Sequence, residues 1–100
     1  MLNKLVRDNV VALIEIKGQK AIYEVLNKND YIRELNKKLV EKTNEFVKKN
    51  GSEELADIFE VMHAIVLAKN IDTGEVEEIR IKKAAEKGIY KKRIFLKEIE

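Results

Sequence analysis

No proline interrupts this chain of 100 residues, and only four glycines punctuate it. Proline removes an amide donor and clashes inside a helix, while glycine loses the most backbone entropy on ordering. Their scarcity leaves long helices as the default local structure. Asp8 is a natural N-cap for NVVALIEIK, a short helix that Gly18 can close. KAIYEVL, residues 20 to 26, roughly alternates β-branched and aromatic residues with polar ones and predicts a short strand. Asn29 is placed to cap a long helix running to about Asn50, with Gly51 ending it. Ser52, Glu53 and Glu54 open the next helix, acids in its first turn, which should run to about Asn70. Asp72, with Glu75 three residues on, resembles a capping box and starts a fourth helix reaching about Lys87 and ending at Gly88. The tail IYKKRIFLKEI reads as a second short strand able to pair with residues 20 to 26, or as further helix. The expected architecture is all-α: one domain over residues 1–100, a helical bundle of three to four helices, optionally with a small two-stranded accessory, completed by oligomerisation.

Charge and composition narrow the function. Lys+Arg total 20 against 18 for Asp+Glu, so the net charge of +2 exerts no general pull on nucleic acid. Lys82, Lys83, Lys87, Lys91, Lys92, Arg93 and Lys97 gather toward the end of the sequence, but apolar residues interrupt them and no stacking platform accompanies them. No specific nucleic-acid partner is therefore expected. The absence of cysteine removes disulfides, a thiolate nucleophile and cysteine zinc sites. No apolar stretch approaches the ~20 residues that span a bilayer. MLNKLVRDNVV carries charges where a secretory signal needs its apolar block, so a cytoplasmic location without membrane contact is expected.

The segment EELADIFEVMHAI, residues 53 to 65, sets Glu54, Asp57 and Glu60 at intervals of three into an apolar run. Leu55, Phe59, Met62 and Val66 take one side of this helix, and Ile58, Val61, Ile65 and Ala68 another. A helix apolar nearly all round belongs in the middle of a bundle or at a subunit contact, which points to oligomerisation. Carboxylates at i and i+3 repel one another, and burying them without partners is costly. Either basic side chains or a cation must balance them. In the preceding helix, Ile32, Leu35, Leu39 and Phe46 form the core stripe, while Glu34, Lys38, Glu41 and Glu45 form a second stripe, with Lys42 nearer the border. A tight Asn50-Gly51 turn brings the end of this helix beside the start of the next, so Glu45 meets Glu54, with Asp57 one turn further on. Three carboxylates from two facing helices suit a hard cation such as Mg2+. Two plainer readings stand beside it: acids in a first turn serve the helix dipole, and Glu41 and Glu45 pair with lysines four residues away on a solvated face.

Four segments in order resemble one family. KLVRDNV is similar to the KLVRDKIP signature of the MazG-like, all-α nucleoside triphosphate pyrophosphohydrolases, in the branch related to phosphoribosyl-ATP pyrophosphohydrolase. KKLVEKTNEFV resembles their first acidic helix, EELADIFEVMHAI their second, and AAEKGIYKKRIFL their KRGGFEKRIFL ending. The resemblance implies a nucleotide substrate, hydrolysed between the α and β phosphates to a monophosphate and pyrophosphate with magnesium, and assembly into a homodimer or homotetramer. It implies Glu45, Glu54 and Asp57 as metal ligands and Glu41 or Glu60 as the residue orienting or deprotonating the attacking water. Lys4, Arg7, Lys83, Lys87 and Arg93 are the cations implied to balance the phosphates. One position departs from the pattern: the leading glutamate of the first Glu-x-x-Glu motif falls on Lys42. An ammonium there removes one negative charge, adds a positive one and weakens the case for a metal. A catalytically silent relative, acting as a nucleotide-binding or subunit-interaction module, is the alternative that Lys42 supports.

Overall fold

In the computed structural model, residues 2–100 are described. They form four helices: α1 (Val10–Ile16), α2 (Lys28–Lys49), α3 (Ser52–Lys69) and α4 (Thr73–Lys87). No described residue lies in a strand, so the protein is all-α as its sequence predicts. Residues 20 to 26, expected as a strand, are irregular, and the tail after Gly88 holds only a short turn. The two-stranded accessory is thus not formed. A two-stranded ribbon is marginal without a face to pack on, and Ile22 and Val25 both project into solvent. Two compact units divide the chain, one ending at Asn70 and the other spanning Ile71–Glu100.

The helix ends follow local side-chain chemistry, with three corrections to the sequence reading. The Asn27 side chain, not that of Asn29, caps α2: it accepts the Asp30 amide at 2.9 Å and donates to the Asp30 carboxylate at 3.1 Å. Asn27 has an acid three residues on to complete this reciprocal arrangement, whereas Asn29 has Ile32. Asp8 does not cap α1; the N-cap is Asn9, without a side-chain bond, because a turn from the Val10 amide to the Arg7 carbonyl precedes the helix. At the end of α2, the left-handed residue is Asn50 (φ 54°) rather than Gly51, which becomes the extended N-cap of α3. Asparagine tolerates that region because its short polar side chain bonds locally. Asp72 caps α4 as expected, accepting the amides of Gly74 and Glu75.

The two-residue link turns α3 back along α2, and these two helices pack as an antiparallel pair. The facing stripe of α2 is Ile32, Leu35, Leu39, Lys42 and Phe46, spaced alternately three and four residues apart. Opposite it lie Ile58, Val61, Ile65 and Ala68. Leu35 (3% exposed) and Val61 (8%) are the most deeply covered residues of this seam. The expectation that α3 is covered all round is not met within the chain: Leu55, Phe59, Met62 and Leu67 remain open. One partner helix shields only one stripe of a cylinder, and α3 carries apolar residues on more than one.

In the second unit, α4 is exposed along nearly its whole length, with Ala84 half-buried. Arg80 makes two hydrogen bonds to the Glu77 carboxylate, one turn away. That bonding holds the Glu77 carboxyl below its usual value and raises the Arg80 guanidinium.

The seam sets a stability prediction. Leu35→Ala should cost about 2–4 kcal/mol in urea unfolding, since the lost methylenes leave a cavity beside α3. Val40→Ala, on the open side of the same helix, should cost under about 0.5 kcal/mol.

Candidate functional site

Four charged side chains meet at the turn-proximal half of the α2–α3 hairpin. Lys42 occupies an inward position of the apolar stripe, so its stem packs in the seam and its ammonium must find acceptors nearby. It donates to Glu45 Oε2 at 3.3 Å and lies 3.9 Å from Asp57 Oδ2. Arg7, carried by the irregular segment before α1, donates from Nη2 to the other oxygen of Asp57 at 3.0 Å. Asp57 therefore shares its two oxygens between cations from two different parts of the chain. The cluster of Arg7, Lys42, Glu45 and Asp57 is formally neutral. Lys42 is its most enclosed member, with 24% of its side chain exposed, and Arg7 its most open, with 64%.

The sequence expectation joined Glu45, Glu54 and Asp57 around a cation. Glu45 and Asp57 do meet, but through the Lys42 ammonium. The Glu54 carboxylate folds back over its own helix start, with Oε2 3.0 Å from the point where a Gly51 Cβ would stand. The absent side chain at Gly51 is what gives it room. Among the described residues no group of three or more acids or histidines is arranged to hold a metal ion. Carboxylate oxygens suit magnesium chemically, yet this arrangement does not fit the ion: two internal cations already neutralise the acids that would bind it.

The remaining expected residues of the first unit make other contacts. Glu41 accepts from Lys38 at 3.3 Å, a lysine pairing like the one expected but three residues away instead of four. With Lys4, Glu34, Lys37 and Lys38 it lines a small cavity of about 170 Å³. Glu60 is exposed on α3, as is His63. Lys83 and Lys87 lie on α4 and Arg93 in the tail of the second unit, all exposed. Tyr23 borders a wide groove of about 1030 Å³ formed by the N-terminal segment, α1, residues 19–26 and the start of α2.

Two features escaped the sequence reading for different reasons. The inward position of Lys42 is written in the spacing of Ile32, Leu35, Leu39, Lys42 and Phe46, and a strict count along the stripe finds it. The Arg7–Asp57 pair joins residues 50 positions apart across an irregular segment, and no local pattern encodes such a contact.

Scans against protein-family models, curated proteins and solved structures returned no match.

The shared role of Lys42 makes a prediction. Lys42→Gln leaves Glu45 and Asp57 without their common cation and should lower stability by about 0.5–1 kcal/mol at low salt. The loss should shrink in concentrated sodium chloride, as urea unfolding at the two ionic strengths will measure.

Proposed function

We propose that this chain is a MazG-like nucleotide pyrophosphohydrolase domain, cleaving a nucleoside triphosphate or phosphoribosyl-ATP-like nucleotide to monophosphate and pyrophosphate with Mg2+. One observation carries the reading. Arg7 from KLVRDNV, Lys42 and Glu45 from KKLVEKTNEFV, and Asp57 from EELADIFEVMHAI converge on one cluster. Three of the segments that resemble the family thus deliver charged side chains to the same place, although the sequence separates them widely.

In this reading Glu45, Glu54 and Asp57 are the metal ligands. They become available only when Lys42 and Arg7 give up their carboxylates and Glu54 swings off Gly51. Arg7, once free of Asp57, is a cation for phosphate, with Lys4, Lys83, Lys87 and Arg93 as further candidates. Glu41 or Glu60 serves the attacking water. The open apolar side of α3, formed by Leu55, Phe59 and Met62, supports assembly into a homodimer or homotetramer. Among the described residues no helix is long and apolar enough to cross a membrane, and the proposed site of action is the cytoplasm.

The position of Lys42 favours a second reading: a catalytically silent relative that binds nucleotide or another subunit. Its ammonium between Glu45 and Asp57 supplies internally the charge that an ion otherwise brings.

Pyrophosphate release from a panel of nucleotides, with magnesium and with chelator, separates the two. The hydrolase reading expects release that chelator abolishes and that Asp57→Asn lowers by about 100-fold or more. Nucleotide binding without turnover across the panel supports the silent relative instead. In either case Lys42→Glu should strengthen magnesium binding at least about tenfold by calorimetry, since it restores a carboxylate and removes a competing cation.

A further inference from the structure

The second unit carries a charge imbalance that the net charge hides. Residues 82–97 hold seven cations and one acid, Glu86, so this stretch stands at +6 in a chain whose total is +2, leaving −4 elsewhere. Every ion pair among the described residues lies at or before Arg80, and none engages those seven cations. The tail that carries four of them also leaves its apolar side chains in solvent: Ile89, Tyr90, Ile94, Phe95, Leu96 and Ile99 are 69–99% exposed. A turn closed by the Arg93 amide on the Tyr90 carbonyl at 3.3 Å sets Lys91 and Lys92 between the two apolar runs.

We propose that residues 89–99 are a docking surface for an anionic lipid bilayer. Lysine and arginine meet the acidic headgroups, while the aliphatic and aromatic side chains enter the boundary with the acyl chains. Both chemistries are needed to choose the occupant. Nucleic acid takes up the cations but offers nothing to Ile89, Ile94, Leu96 and Ile99, and the tail has no run of aromatic rings on which bases stack. The same tail of a second copy covers apolar surface only by bringing like charges together. A bilayer rich in acidic lipid complements the charge and the apolar surface at once. Such a contact needs no spanning helix, agrees with the cytoplasmic site of action proposed above, and amends the sequence expectation of no membrane contact. It is independent of the nucleotide reading, because no residue of the carboxylate cluster takes part.

The test is co-sedimentation of the full chain with vesicles, either phosphatidylcholine alone or phosphatidylcholine and phosphatidylserine in equal parts. Binding to the acidic vesicles should be at least about 25-fold tighter, at about fivefold per engaged cation. Lys91→Gln with Lys92→Gln should weaken it about 25-fold, and Phe95→Ala with Leu96→Ala at least about tenfold. All four positions are exposed, so both variants should keep the parent's helix content by circular dichroism. The chain has no cysteine, so an environment-sensitive dye on Leu96→Cys reports insertion, and its emission should shift to the blue on acidic vesicles. Equal binding to both vesicles, or none to the acidic ones, overturns the proposal. So does a loss confined to the lysine variant with an unshifted dye, which describes cations adsorbed without apolar insertion. Tighter binding to a single-stranded RNA than to acidic vesicles, unchanged by Phe95→Ala with Leu96→Ala, overturns it in favour of nucleic acid.

Discussion

Lys42 is one cation in an apolar seam, and much of the first unit's charged architecture follows from it. Ile32, Leu35, Leu39 and Phe46 seat their side chains against α3. The fifth member of that stripe cannot leave its ammonium among methyl groups, because an unpaired charge in a partly dry site is costly. Glu45, one turn along, and Asp57, across the seam, supply the acceptors. Asp57 retains a free oxygen and draws in Arg7. The N-terminal segment is thereby tied to the second helix of the hairpin by charge more than by packing. Each link is worth little alone at these exposures, but together they form a connected network linking three segments.

This network places stability and proposed function in competition. The acids that a hydrolase needs for its ion are the acids that Lys42 and Arg7 need for partners. A carboxylate at position 42 would tilt the balance toward the ion, and lysine tilts it toward the folded, metal-free arrangement. The hairpin itself shows a related tension, since α3 is apolar on more sides than α2 can cover. Phe59, 60% exposed, and its neighbours Leu55 and Met62 remain available to another surface.

The helical content and the hairpin were legible because both rest on periodicity and on local signals. The absence of proline, the glycines at 18 and 88 and the cap at Asp72 are each read within a few residues. Asn27 caps α2 in place of the expected Asn29 because only Asn27 has an acid three residues later. Residues 20 to 26 look like a strand because alternation reports side-chain pattern and not the presence of a partner. The carboxylates at 45 and 57 were correctly brought to one end of the hairpin. The sequence reading set Lys42 at the border of the stripe, although the spacing itself sets it inside. Arg7 was named for its charge, whereas its pairing with Asp57 depends on the path of an irregular segment that no periodicity describes.

Charge sharing across the α2–α3 seam joins Lys42 to Asp57, and a double-mutant cycle of Lys42→Gln and Asp57→Asn measures it directly. Urea unfolding of the four proteins at low salt should give a favourable coupling of about 0.5–1 kcal/mol between the two residues. Additive effects within experimental error would mean that Lys42 and Asp57 do not sense each other, which contradicts the shared-cation arrangement of the seam.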